Sequence, residues 1–393
     1  MVADRFNTPG VLPSQMIQEA IKQRWIYSDS DDIPDESVQP ASLDLRLGDV
    51  AYRLRCSFLP DNHPVEEKLK RYQMGKVDLR GDGGILEQNR PYLVPLVERL
   101  NLPAGVRAKA NPKSSTGRLD IFTRVITDRS SMFDEVSAGY QGRLYLEIVP
   151  RTFTIRVWPG LALNQLRLMV GQSGLTDDQI VKLHAGTALL YRDGRPVGPD
   201  EVAVSNGLFL GLDLGKWKST KEEGEHIGFR AKENSDLIDL GKTDHYSPYR
   251  FWERVFSRRR RIVLHPEKFY LLMSQDAVRI PPEYAAEMTA YDPTSGELRT
   301  HYAGFFDPGF GWETGVGGPP GSRAALEVRA HDVPFAVEHG QNICKLSFER
   351  MIEVPDRLYG ASLASNYQGQ QVALSKHFRR VRPTNPDQLD LFD

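Results

Sequence analysis

Gly142-Arg143-Leu144-Tyr145-Leu146-Glu147-Ile148 alternates in period two and places one acid inside an apolar run. A near-copy, Ala325-Leu326-Glu327-Val328, returns about 180 positions later. Alternation of this kind, rich in β-branched and aromatic residues, reads as a strand with one packed face. Ser42-Leu43-Asp44-Leu45-Arg46-Leu47 and Phe153-Thr154-Ile155-Arg156-Val157 read the same way, and Gly or Pro punctuates the chain every ~8–12 residues, as in sandwiches and barrels. Other segments repeat too. Leu102-Pro103-Ala104 is echoed by Ile280-Pro281-Pro282, and Val157-Trp158-Pro159-Gly160 by Val337-Glu338-His339-Gly340. Leu43-Asp44-Leu45 is matched here to Leu212-Asp213-Leu214-Gly215. A solenoid repeats every ~20–50 residues, so this period means a duplicated domain.

The expected fold is therefore mainly β, two barrels in tandem with few short helices, divided as 1–190 and 191–393. The join falls in the polar stretch between Gly171 and Glu201. A charged insertion, residues 216–261, ends in Arg258-Arg259-Arg260-Arg261, which could bind phosphate or nucleic acid but reads first as a solvated basic face. A helix opens the chain, with Ser14 as N-cap and Ile17, Ala20, Ile21 and Trp25 on one face.

Bulk composition narrows the class. The chain has 393 residues, too long for one ordinary core. Fifty basic and 52 acidic residues leave a net charge of −2, which gives no general attraction to nucleic acid or membrane. Two cysteines, Cys56 and Cys344, exclude a disulfide framework and suit a reducing cytoplasm. No apolar run reaches the ~20 residues that span a bilayer, so the expectation is a soluble cytoplasmic protein.

Two segments carry chemistry. Lys113-Ser114-Ser115-Thr116-Gly117-Arg118 combines cations, hydroxyls and a flexible glycine, a set suited to phosphate, though also ordinary loop chemistry. Glu147 and Glu327 hold the same position in the two copies of one apolar strand. A buried, unpaired carboxylate there would have a raised pKa and could exchange protons near neutrality; an outward-facing glutamate would do neither. The zinc deaminase pattern is not met, because the chain has no P-C-x-x-C, and the nine histidines show no ligand-pair spacing.

Taken in order, the segments resemble the dCTP deaminases of the trimeric dUTPase superfamily. That family carries R-S-S-x-x-R, then A-G-x-x-D-P-G-[FW]-x-G, a strand ending L-E, and a Y…K-Y-Q-G-Q tail. This chain has Lys113 to Arg118, Ala303-Gly304-Phe305-Phe306-Asp307-Pro308-Gly309-Phe310-Gly311, Leu326-Glu327, Tyr359 and Tyr367-Gln368-Gly369-Gln370. Asn366 stands where the family usually has Lys. The first copy keeps the phosphate segment and Glu147 but replaces the D-P-G turn with a loop containing Phe133 and Asp134. The second copy keeps the turn, Glu327 and the tail, but reads Tyr291-Asp292-Pro293-Thr294-Ser295-Gly296-Glu297 where phosphate would bind. The resemblance thus implies dUTPase-like, jelly-roll-like barrels and a composite site, with 113–118 from one barrel and 303–327 plus the tail from the other. Like barrels set side by side would instead pair Glu147 with Asp134.

By resemblance the reaction is zinc-free hydrolysis of dCTP to dUTP and ammonia, feeding pyrimidine deoxynucleotide synthesis. Glu327, or else Glu147, would move the protons. Ser114 and the carbonyl near Ala303 would orient the water, and Arg118 would hold the glutamate. Lys113, Ser115, Thr116 and Gly117 would receive the phosphates, with Mg²⁺ carried by the triphosphate and no protein ligand. Asp307, or Asp134 in the like-barrel arrangement, would read the sugar, with Phe306 or Phe310 packed on sugar or base. Tyr359 and Gln370 would close as a lid. A bifunctional enzyme releasing dUMP and a silent nucleotide-binding regulator are the alternatives; a dUTPase fits the L-E strand less well. The resemblance also implies a homo-oligomer. Gln388-Leu389-Asp390-Leu391-Phe392 is similar to the pentapeptide that docks on replication sliding clamps, and equally suits a tail folded onto its own barrel.

Overall fold

The structure, a computed structural model, describes residues 8–215, 217–218, 225–290, 298–300, 304–312, 320–330, 332–360 and 373–379. Two apolar cores organise them. Leu43, Leu45, Val94, Leu146 and Leu166 centre the first; Leu210, Leu272, Leu326 and Leu346 centre the second. Each core lies between curled antiparallel sheets. In the first barrel Ala162–Val170 pairs with Leu43–Arg46 and Val106–Pro112, opposite a sheet built on Tyr92–Asn101 and Gln141–Pro150. In the second, Asn342–Arg350 pairs with Leu208–Gly211 and Tyr284–Ala290, opposite Phe269–Val278 and Ser322–Ala330. The chain is mainly β in two barrels, as the alternation implies.

Ile180, Leu189 and Leu190 pack in the second core, so the helix Asp177–Gly186, capped by Thr176 with Gln179 in a reciprocal box, goes with the second barrel. At the N-terminus Ser14 lies inside the helix Ser14–Lys22. Pro13, extended at φ −78° and ψ 169°, is its cap residue. The proline presets the φ the chain needs on entry, and so displaces the hydroxyl from the capping role.

Hydrogen bonds fix the equivalence of the two copies. Gly160 N–H donates to Leu47 O as Gly340 N–H donates to Leu212 O, and Gly48 N–H to Pro95 O as Asp213 N–H to Met273 O. The counterpart of Leu43–Arg46 is therefore Leu208–Gly211, four residues before the match read from sequence. Both segments carry leucine at alternate positions, and a shift of four keeps those leucines on the same face, which is why the pattern alone does not reveal it. Phe209 then stands in place of Asp44, and Gly211 in place of Arg46.

The insertion joins the barrels. Ile238–Asp239 adds a parallel strand to Ile155–Val157, and Trp158 Nε1 donates to Asp239 Oδ1 at 2.8 Å. Phe251 and Trp252 meet Phe153 edge-on at 5.9 and 5.4 Å. Phe378, in the tail, meets both Phe251 and Trp252. Aromatic burial from the second half thus completes the first core and ties the halves together.

Candidate active site

Lys113 to Arg118 follow the strand Val106–Pro112 and turn through a short helix, Ser114–Gly117. Thr116 Oγ1 donates to Leu163 O at 2.9 Å, which holds the turn on the neighbouring strand. Gly117 faces the other barrel. A Cβ there would lie 2.4 and 2.6 Å from the carboxylate oxygens of Glu327. Only a residue without a side chain admits that approach.

Glu327 is buried, and Oε2 has no hydrogen-bond partner among the described residues. Burial raises its pKa well above the usual value; Arg118 opposes that rise and Asp120 adds to it. Asp120 is itself paired with Arg329 of the second barrel. A carboxylic acid in this setting keeps its proton to higher pH than a solvated glutamate does, and can exchange it with a group placed beside it.

The D-P-G turn lies on the same seam. A Cβ on Gly304 would stand 2.7 Å from Pro112 O, so that segment lies directly against the strand leading to Lys113. Asp307 is buried and faces Arg167 at 3.7 Å. Burial lifts its carboxyl to about 6, with Arg167 and Lys113 opposing and Asp44 reinforcing. Arg167, fully buried, also donates to Glu349 at 2.8 Å and lies 3.8 Å over the Phe305 ring. Phe306 and Phe310 are buried in the second core, 4.9 Å apart and edge-on. Tyr359 donates its N–H to Pro308 O at 2.9 Å, and its ring lies 5.5 Å from Phe310.

The tail returns to the phosphate segment. Ser375 Oγ donates to Ser115 O at 2.9 Å, and Arg118 Nη1 to Leu374 O at 3.3 Å. Lys113 pairs with Asp44. Lys376 joins that pair: burial first, then Lys113, lowers its pKa, while Asp44 opposes. Two ammonium groups beside one carboxylate form a place that favours added negative charge.

Glu147 stands elsewhere. It is fully buried, and Arg124 from the adjacent strand donates to it through Nε at 3.0 Å. Arg124 lies 3.6 Å over the Phe133 ring and reaches Ser57 at 2.8 Å. Asp134 is not the counterpart of Asp307. Strand register pairs Glu135 with Lys109 as Phe305 pairs with Glu287, so Ser137 matches Asp307 and Asp134 matches Gly304. Asp134 accepts the Val125 N–H at 2.7 Å, and burial lifts its carboxyl to about 7.

The structure therefore brings 113–118, Gly304, Asp307, Glu327 and residues 374–376 together inside one chain, and leaves Glu147 and Asp134 outside. Ala303, Gln370, Asn366 and the pentapeptide 388–392 lie outside the described residues, as do 291–297. Sequence reading gave no role to Asp44, Arg167, Ser375 or Lys376. The available signals were a charge within the apolar run Leu166-Arg167-Leu168-Met169 and the lysine just beyond the tail motif.

Comparison with known proteins follows this geometry. The family model for the 2′-deoxycytidine 5′-triphosphate deaminase N-terminal domain matches residues 8–172, and that for the C-terminal domain matches residues 176–378. The chain belongs to the dCTP deaminase family. Its structure is similar to that of a dCTP deaminase from Agrobacterium tumefaciens, with TM-score 0.80 and 46% identity over 88% of this chain and 99% of that one. The dCTP deaminase of Halorubrum lacusprofundi is 33% identical over 138 residues, 35% of this chain and 64% of its own length. A dUMP-forming dCTP deaminase from Beutenbergia cavernae is 32% identical over 143 residues, 35% of this chain and 68% of its own. The Halorubrum alignment thus spans just under two thirds of that dCTP deaminase. Among the described residues, no helix is long and apolar enough to cross a membrane, and no group of three or more His, Cys, Asp or Glu is placed to hold a metal ion.

Proposed function

We propose that the chain hydrolyses dCTP to dUTP and ammonia at the seam between its barrels, with Glu327 as proton carrier. The observation that carries this reading is the contact of Gly117 with the Glu327 carboxylate. It sets an acid of raised pKa beside a segment of cations and hydroxyls, in a place shut off from water.

Deamination of cytosine takes one proton from the attacking water and delivers it to N3, then takes the second from the resulting C4 hydroxyl and delivers it to the amine as it leaves. One carboxyl can serve both pick-ups and both deliveries if its pKa lies near the working pH. Arg118 bears on that carboxyl electrostatically and is anchored by Leu374 O. Ser114, partly exposed at the start of the turn, orients the water in this reading. Lys113, Ser115 and Lys376 receive the triphosphate, whose accompanying Mg²⁺ belongs to the substrate. Lys376 takes the part that Asn366 cannot supply. Asp307 reads the deoxyribose hydroxyl, and Tyr359 closes from the tail side. No zinc enters this scheme, in keeping with the missing P-C-x-x-C pattern. Release of dUMP is the second reading, favoured by relatives that are named dUMP-forming.

The test is ammonia release from dCTP with Mg²⁺, with the nucleotide product separated. Glu327→Gln loses turnover by ~10²–10⁴-fold, the span expected of a lost general acid–base. Wild-type protein that binds dCTP and releases no ammonia would make the chain a binder instead. dUTP against dUMP in the product decides between the two enzymatic readings.

A further inference from the structure

A second polar site lies in the second barrel, built without the phosphate segment or Glu327. Arg192, Asp213, Arg260, Gln275, Arg323 and His339 surround a cavity of about 300 Å³. The duplication shows what is new here. By register, Arg192 occupies the place of Ser28, opposite Asp276 as Ser28 is opposite Glu98. Asp213 replaces Gly48, Gln275 replaces Val97, and His339 replaces Pro159. Small or apolar residues in one barrel have become hydrogen-bonding groups around a hollow in the other.

The arginine run supplies one wall. Arg258–Arg261 forms a tight turn, with Arg259 and Arg260 at φ 54° and 56°. The turn carries the Arg260 guanidinium to 2.5 Å from His339 Nε2. On the far side of the ring, Leu214 N–H points at Nδ1 at 3.0 Å. A neutral imidazole has one accepting nitrogen, so one of these N–H groups faces another donor. Two of the arginines already have carboxylates: Arg323 pairs with Asp213 at 2.5 Å and Arg192 with Asp276 at 2.7 Å. Asp193, also on the lining, is exposed. Burial lowers the His339 pKa, and Arg260, Arg192 and Arg323 push the same way against Asp213. Arg260 is thus the lining arginine whose close polar neighbour here is a ring nitrogen and not a carboxylate.

The geometry points to a phosphoryl oxyanion site here, in which one oxygen accepts from Arg260 and the ring N–H of His339 together and so removes the donor–donor conflict. Its source is either free phosphate or the phosphate of a larger ester, for which the hollow has room.

The test is titration of the full chain with inorganic phosphate and, separately, with AMP, read by calorimetry and by the His339 ring resonances. Arg260→Asn removes the guanidinium and keeps a residue that tolerates positive φ, so folding is preserved. Lys113→Ala separates phosphate bound at the catalytic seam. The expected result is a binding class that weakens at least tenfold in Arg260→Asn, persists in Lys113→Ala, and raises the His339 pKa on saturation. AMP tenfold tighter than phosphate identifies an ester, and equal affinity identifies the free ion. Phosphate binding that is unchanged in Arg260→Asn, or His339 resonances that do not move at millimolar phosphate, overturns the assignment.

Discussion

Gly117 in the first barrel and Glu327 in the second touch so closely that one methyl group cannot come between them. The contact joins two segments more than half the chain apart, one from each barrel. Gly117→Ala therefore puts a carbon within 2.4 Å of Oε2 and must push the carboxylate aside. We expect kcat for ammonia release to fall at least about a hundredfold, since a displacement near 1 Å is costly in a positioned site. Retention of wild-type kcat in Gly117→Ala would show that Glu327 does its work from another position.

Glu327 also sets a pH dependence of stability. Its folded pKa is raised, so above the usual glutamate range the folded chain keeps a proton that the unfolded chain has released. Stability is then lost as pH rises toward the folded value. Glu327→Gln lacks this loss. The variant should melt at least as high as wild type at about pH 8, and the two should converge near pH 4. Melting curves at both pH values decide this, and a variant less stable at pH 8 than at pH 4 relative to wild type goes against it.

Glu147 answers to a different rule. Arg124 meets its buried carboxylate, so Glu147→Gln takes the charge from one side of a close pair. The expected cost is about 1–3 kcal/mol of stability, with kcat within a few-fold of wild type. Denaturant unfolding and steady-state kinetics on the same preparation check both halves. A variant that folds normally but is inactive would move the chemistry to the first barrel.

Lys376, beside Lys113 and Asp44, is proposed to contact phosphate and not the base. Lys376→Met should raise KM for dCTP about tenfold or more, as loss of one charge-assisted contact does, with little change in kcat. The effect should shrink at high salt, because ionic screening weakens the charge in wild type too. A drop in kcat at constant KM would instead tie Lys376 to the transition state.

Much of this was legible before any coordinates. Period-two strands with an echo about 180 positions on gave two β-barrels, because alternation is local and survives duplication. The unequal decay of the copies, acids at 292 and 297 against Lys113 and Arg118, already suggested a site shared between them. Register was not legible. Leu208–Gly211 and Leu212–Gly215 are both apolar enough to match Leu43–Arg46, and only inter-strand hydrogen bonds choose between them. For the same reason only register shows that Ser137, not Asp134, is the counterpart of Asp307.

The sequence by itself determined the fold class, the duplication, and which residue types were available for proton transfer and phosphate binding. Those follow from composition, period and spacing along one dimension. Tertiary structure alone decided that Glu327 meets Gly117 while Glu147 is bound by Arg124, though the two strands read alike. The difference is a matter of surroundings: one carboxylate has an arginine on the neighbouring strand, and the other lies buried at the seam beneath another barrel's turn. Burial and distance are properties of the packed chain, and from them come both the raised pKa and the closeness that makes it useful.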